Sequence, residues 1–312
     1  MNKNDTTISL CIIAKDEADF LSQCLRNAKD WVDQIVVVDT GSSDSTVAVA
    51  EAADAEVSTF AWSDDFSEAR NYSLSQASCE WILVLDCDEV VADTDWNRLR
   101  EVAASGKADA YRVTTRNYTR SFERVGWQAV SGVYSKEERI YEGWFPTTKV
   151  RLFRNDSAVR FSGALHELVE KHAETAGWTI TDCDVPVHHY GYVEKERPTE
   201  TYVKVAERKM SLAPQDANAH YELALAYRDC SQFDSAWEAI QTCIDLLEAG
   251  QDGSPYLDRV LVYLVTGEIA AKLGNHDGER SAYEAALVLD SKSFQAMNNL
   301  GSHFMKSGDF EA

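Results

Sequence analysis

Residues 81–89 read Trp81-Ile82-Leu83-Val84-Leu85-Asp86-Cys87-Asp88-Glu89, an apolar run that stops in two carboxylates one residue apart. The five apolar residues predict a central strand of a parallel sheet, buried on both faces. On an extended backbone residues i and i+2 project to the same side, so Asp86 and Asp88 can face one divalent cation or its water shell. Hard cations such as Mg²⁺ and Mn²⁺ take one or two protein carboxylates and leave positions for water and substrate phosphates. Taken alone, Asp-x-Asp reads equally well as a helix cap or an exposed turn. The strand before it favours a ligand site, because open α/β sheets bind ligands beyond the carboxyl ends of their strands.

Working outward, the same grammar repeats. Ile8 to Ala14 is strand-like, and Asp19 to Ala28 carries Phe20, Leu21, Cys24 and Leu25 at helical spacing. Gln34 to Asp39 is a second strand that runs into Thr40-Gly41-Ser42-Ser43-Asp44-Ser45-Thr46, where Gly41 permits a tight turn and the Ser and Asp residues offer N-caps. A helix over Ala48 to Ala53, a strand over Ala55 to Trp62 and a helix over Phe66 to Gln76 complete an alternation that predicts a parallel sheet covered by helices. Strands are expected again at Asp109 to Asn117, Lys149 to Phe153 and Trp178 to His189. The aromatic-rich, poorly periodic stretch Phe122 to Pro146 reads as a substrate-facing excursion.

From Pro198 the chain is helical and repetitive. His220, Leu223, Ala224, Tyr227, Ala236, Ile240 and Cys243 fit the positions of a tetratricopeptide repeat. Gly301 and Gly308 lie 34 residues beyond Gly267 and Gly274, which equals the repeat period. Glu248 to Leu257 reads as an inserted loop, and Glu279 is a mismatch where a small residue is expected. Thr199 to Leu212 reads as the second helix of a partial repeat. The chain stops at Gly308-Asp309-Phe310-Glu311-Ala312 where a partner helix should start, so truncation at the C-terminus is expected.

Composition narrows the function classes. Two domains are expected from 312 residues, at 1–192 and 193–312. A net charge of −22 disfavours nonspecific binding to nucleic acid or anionic lipid. No apolar stretch reaches membrane-spanning length and no signal-peptide pattern stands at the N-terminus, so a cytoplasmic location is expected. The seven cysteines lack a Cys-x-x-Cys spacing, which argues for reduced, unpaired thiols.

Residues 8 to 192 resemble family 2 glycosyltransferases of the GT-A fold. Val38-Asp39-Thr40-Gly41-Ser42-Ser43-Asp44-Ser45-Thr46 is similar to that family's Asp-x-Gly-Ser-x-Asp-x-Thr signature and Asp86-Cys87-Asp88-Glu89 to its metal motif, with Glu68-Ala69-Arg70-Asn71 between them. The resemblance is closest to members in which a GT-A domain is fused to tetratricopeptide repeats. It implies a Rossmann-like, mostly parallel α/β domain followed by an all-α repeat domain.

The activity it implies is transfer of a sugar, with inversion, from a nucleotide sugar such as a UDP-sugar. Ala14, Glu17, Asp39, Arg70 and Asp86 would contact the donor, Arg70 at the diphosphate. Asp88 and His189 would hold Mn²⁺ or Mg²⁺. Glu167 would be the general base, with His166 as the competing base. The acceptor would be a hydroxyl or a side chain of a glycan, peptide or protein, held by the repeats, which also offer a surface for oligomerisation. Gln-x-x-Arg-Trp and membrane helices, carried by processive members, are missing. Two other readings stay open: sugar-phosphate nucleotidyl transfer, although the basic Gly-rich loop it needs is replaced by Ala14-Lys15-Asp16-Glu17-Ala18, and a non-catalytic repeat scaffold.

Overall fold

In the computed structural model of the chain the described residues are 6–120, 122, 124, 126–139, 141–164, 167–194, 199–250 and 257–307. They fall into two compact units, Met1–Arg197 and Pro198–Ala312.

The first unit is α/β. Its elements are β1 (Ile8–Ala14), α1 (Ala18–Ala28), β2 (Gln34–Asp39), α2 (Thr46–Ala52), β3 (Glu56–Thr59), α3 (Phe66–Gln76), β4 (Trp81–Val84), β5 (Glu89–Val91), α4 (Trp96–Ala104), β6 (Ala110–Thr119), β7 (Gln128–Ala129), α5 (Ser135–Glu138), β8 (Gly143–Arg154), α6 (Glu170–Thr175), β9 (Ile180–His189) and α7 (Gly191–Glu194). The nine strands form one sheet in the order β3-β2-β1-β4-β8-β6-β9-β5, with β7 paired to β8. From β3 to β4 every pairing is parallel, and β6 pairs parallel with β9. β4 is fully buried and central as expected, but it is parallel to β1 on one side and antiparallel to β8 on the other.

Burial explains why the sheet nucleates here. Leu10, Ile12, Leu83 and Val37 face α1 and α2 with Leu21, Leu25 and Ala50, while Cys11, Val36, Val38, Ile82 and Val84 pack on the other side with Leu74, Phe153 and Phe161. Alternate residues of one strand thus serve two cores, which is why these strands read as unbroken apolar runs. α3 starts where Asp65 accepts hydrogen bonds from the amides of Ser67 and Glu68.

Several elements go beyond those expected, β5 and α4 chief among them. β5 follows the acidic pair directly and pairs antiparallel with β9 at the far edge of the sheet, Glu89 opposite His189. α4 then lays Trp96, Leu99, Val102 and Ala103 on the core. The stretch from Phe122 to Pro146, in which Glu123, Val125 and Ile140 lie outside the described residues, is less of an excursion than its composition implies. It supplies β7, α5 and the start of β8, and Tyr141 is buried in a stack with Tyr118 and Tyr190.

The second unit is helical: α8 (Thr199–Leu212), α9 (Ala217–Asp229), α10 (Phe233–Glu248), α11 (Arg259–Leu273), α12 (His276–Leu289) and α13 (Phe294–Ser307). α9 packs on α10 and α11 on α12, two helical hairpins flanked by α8 and α13, as the repeat pattern predicts. Asp216, Asp258 and Asn275 cap α9, α11 and α12 through their side chains. Gly308 lies outside the described residues, as do residues 251–256 of the stretch Glu248 to Leu257 expected as an inserted loop, whose first residue ends α10.

Candidate active site

Three parallel strands end side by side. The register sets Ala14 of β1 opposite Asp39 of β2 and Cys11 of β1 opposite Val84 of β4, so Ala14, Asp39 and Asp86 line one rim of the sheet.

At the β1 and β2 ends, the loops are sewn together by hydrogen bonds. The Asp39 carboxylate is buried and accepts from the amides of Gly41 (3.1 Å) and Ser42 (3.2 Å), while Gly41 takes φ +106° to close the turn. Thr40 donates its amide to the Ala14 carbonyl (2.9 Å), and the Glu17 amide donates to Thr46 Oγ1 (2.8 Å). Asp16 accepts from the Ser43 amide at 2.7 Å, and that bond holds its carboxyl below the ordinary range. Asp44 accepts from the Thr46 hydroxyl at 2.5 Å and is lowered for the same reason. The Ser and Asp residues of the signature therefore tie two loops into one rigid lip, with Ala14 and Glu17 in it.

At the β4 end the expected acids part company. Asp86 is paired with Arg70 Nη2, and the Asp86 amide donates to Glu89 Oε2 at 2.8 Å. Burial pushes the Asp86 carboxyl up, but Arg70, Arg151 and Lys149 outweigh it and hold it well below the usual range. Glu89 sits fully buried against Arg151 at 2.5 Å. Its pKa is nonetheless raised, burial prevailing over Arg151 with help from the charge of Asp86.

Asp88, buried, meets His189 instead: its Oδ2 lies 3.3 Å from His189 Nε2. The second nitrogen, Nδ1, stands 2.7 Å from Asn117 Oδ1. Asn117 Nδ2 donates to the carbonyls of Phe145 (3.1 Å) and Thr115 (3.3 Å) and to Thr147 Oγ1 (3.0 Å), so its amide can present only oxygen to the histidine. In the neutral ring Nδ1 then carries the hydrogen and Nε2 keeps its lone pair toward Asp88, the arrangement of a metal-ligating histidine fixed by an outer partner. Burial opposes a charge on His189, but Asp88, by its charge and hydrogen bond, together with Glu89 and Asp86 outweighs it and raises the His189 pKa, so cation and proton compete for this nitrogen.

Gly191 makes room for both side chains against its backbone. A Cβ on it would overlap Asp88 Oδ2 and stand 2.7 Å from His189 Nε2. A carboxylate and an imidazole packed side by side against a glycine suit a hard cation that brings its own waters and phosphates.

Arg70, expected at the diphosphate, is turned inward. Buried in α3, it donates through Nε to Glu167 Oε1 (3.1 Å) and through Nη2 to Asp86, which fixes two site carboxylates on one planar fork. Its neighbour Asn71 exchanges two hydrogen bonds with the backbone of Phe161, at 2.8 and 3.0 Å. Glu68-Ala69-Arg70-Asn71 is thus the element that pins Phe161 and Glu167. His166 lies outside the described residues. His188, facing the opposite side of β9 from His189, is buried against the Tyr118 hydroxyl (2.8 Å), and burial, aided by Arg116, lowers its pKa to about 3.

Asn117, Glu89, Arg151 and Gly191 belong to the site but were not among the residues expected there. Glu89, which closes the Asp86-Cys87-Asp88-Glu89 motif, and the glycine directly after His189-Tyr190 carry a local signal.

A family model, glycosyl transferase family 2, matches residues 9–165. The chain belongs to glycosyl transferase family 2. A tetratricopeptide repeat-containing protein of Synechococcus elongatus is 34% identical over 67% of this chain and 49% of its own length. The glycosyltransferase SunS encoded by Bacillus subtilis is 27% identical over 69% of this chain and 48% of its own. The chain spans about half the length of both relatives. Among solved structures, residues 1–349 of Staphylococcus aureus TarS in complex with UDP-GlcNAc align over 98% of this chain and 93% of that one, at 13% identity and a TM-score of 0.44. A likeness this distant transfers neither donor nor acceptor.

Proposed function

We propose that this family 2 chain is a metal-dependent, inverting glycosyltransferase that uses a nucleotide sugar, a UDP-sugar in the first instance. The observation that carries the reading is the Asp88–His189 pair, oriented by Asn117 and packed against Gly191, at the rim where the parallel strands end. Asp88 and His189 would hold Mn²⁺ or Mg²⁺, which when bound supplies the positive charge that steadies a departing nucleoside diphosphate.

The chain's own residues do the rest. Asp39, immobilised by two amides of its turn, offers its remaining lone pairs to the base or ribose hydroxyls of the donor, bonds strengthened by its charge. Asp86 is held by Arg70 beside the metal ligands. Glu167, on the other end of that fork, removes the acceptor proton as the acceptor oxygen attacks the anomeric carbon opposite the leaving group. Arg70 is the positioning residue that sets base and donor side at a fixed separation. The tetratricopeptide repeats present a helical surface of the kind that holds an extended peptide, protein or glycan acceptor.

The test is a screen of nucleotide sugars with Mn²⁺ or Mg²⁺, read as release of nucleoside diphosphate with water or peptide as acceptor. Glu167→Gln retains an oxygen for Arg70, so it should bind donor as the wild type does and lose transfer by about 10²- to 10⁴-fold. Collapse of donor affinity in that variant would assign Glu167 to the donor instead. Pyrophosphate release from a nucleoside triphosphate and a sugar phosphate would replace the proposal with nucleotidyl transfer.

A further inference from the structure

Glu279 breaks the repeat pattern, and the structure gives the departure a use. It lies in the first turn of α12, buried, where the pattern calls for a small residue. Its Oε2 is 2.9 Å from Nδ1 of His303, a buried residue of α13, and 3.8 Å from Nδ1 of His276, one turn earlier on α12. The two imidazole rings are 6.0 Å apart, and one ligand atom from each of the three residues lies within 4.8 Å of the others. A carboxylate substituted for a small residue between packed helices is costly unless a strong partner meets it.

We propose that His276, Glu279 and His303 form a Zn²⁺ site that clips α12 to α13. Two imidazoles and a carboxylate, with a fourth position left for water, are a zinc donor set. Tetrahedral bonds of about 2.0–2.1 Å put neighbouring ligand atoms about 3.3–3.4 Å apart, and the observed 2.9 and 3.8 Å bracket that spacing. Glu279 and His303 are fixed by burial. The His276 side chain is 72% exposed and is free to swing the remaining distance. Binding replaces the hydrogen between His303 and Glu279: the single hydrogen of the neutral His303 ring passes from Nδ1 to Nε2 through solvent, and Zn²⁺ takes the Nδ1 lone pair and the carboxylate oxygen. The chemistry is distinct from that of the Asp88–His189 pair, since two nitrogens favour Zn²⁺ over Mg²⁺.

The test is titration of the full chain with Zn²⁺ in excess Mg²⁺, followed by calorimetry and thermal unfolding, with Co²⁺ as a spectroscopic substitute. One Zn²⁺ should bind and raise the Tm of the helical unit. Co²⁺ should show the intense visible bands of a four-coordinate nitrogen and oxygen site. His276→Ala, which removes an exposed ligand and leaves the packing alone, should weaken Zn²⁺ binding by about tenfold or more and abolish the Tm increase. Glu279→Gln should weaken binding at least as much. Unchanged affinity in both variants, a near-ultraviolet thiolate band with Co²⁺, or no binding in the wild type would each overturn the proposal.

Discussion

At the scale of single residues, the acid pair divides its labour. Asp86 belongs to a buried guanidinium and Asp88 to a histidine. The segment between β4 and β5 is a turn, closed by the Glu89 amide donating to the Asp86 carbonyl, and not the extended stretch the sequence predicts, so residues two apart serve different ends. Gly191 is the sharpest test of that geometry. Gly191→Ala places a methyl group on the Asp88–His189 pair, so metal affinity should fall by about tenfold or more while the unit stays folded. Metal titration by calorimetry, with circular dichroism as the folding control, reads both, and undiminished affinity would show that the cation binds elsewhere. His188 makes a second prediction. Its pKa is depressed from 6.5 to about 3, so its contribution to stability is complete above pH 6.5 and is lost as pH falls toward 3. Urea unfolding across that window should show a shallower acid slope for His188→Gln than for the wild type. Equal slopes would mean that this histidine is not buried in neutral form.

At the scale of elements, α3 is the joint of the site. Its Arg70 and Asn71 reach the carboxylates and the backbone of Phe161, so the sequence motif acts by fixing Phe161 and Glu167, about 90 residues away. Asn71→Ala should leave donor binding near the wild-type value, lower transfer by about tenfold or more, and raise hydrogen exchange at the amide of Phe161. An unchanged turnover number would remove Phe161 from the acceptor side.

What the sequence made legible follows from range. β1, β2, β4, α1 and α3 were readable because apolar runs and turn residues sit within each segment. α4 has an equally clear face, Trp96, Leu99, Val102 and Ala103, that the strand-centred reading passed over. β5 is three residues long and is defined only by pairing with β9, about 100 residues later, so no local pattern announces it. Asn117 is hidden for the same reason: its role exists only through Phe145, Thr147 and His189. Arg70 was picked out, but its pairing with Asp86 and Glu167 was not, because an arginine's charge does not say which acid it will meet. His188 and His189 separated as strand alternation requires.

For the whole molecule, charge decides how a donor is met. With 52 acidic and 30 basic side chains, the chain carries a field that opposes an anionic nucleotide. Asp39, Asp86 and Asp88 add negative charge at the rim itself, while Arg70 and Arg151 are already committed to carboxylates. On the proposed function, a cation reverses the sign at the place where the diphosphate would sit, and that requirement is the central claim. Its most direct measurement is calorimetric titration of UDP into the full chain, with and without Mn²⁺, for the wild type and for Asp88→Asn. Binding should be strong only with Mn²⁺ in the wild type, and should weaken by about tenfold or more in Asp88→Asn with Mn²⁺ present. Equal UDP affinity with and without metal, or an Asp88→Asn variant that binds as the wild type does, would contradict it.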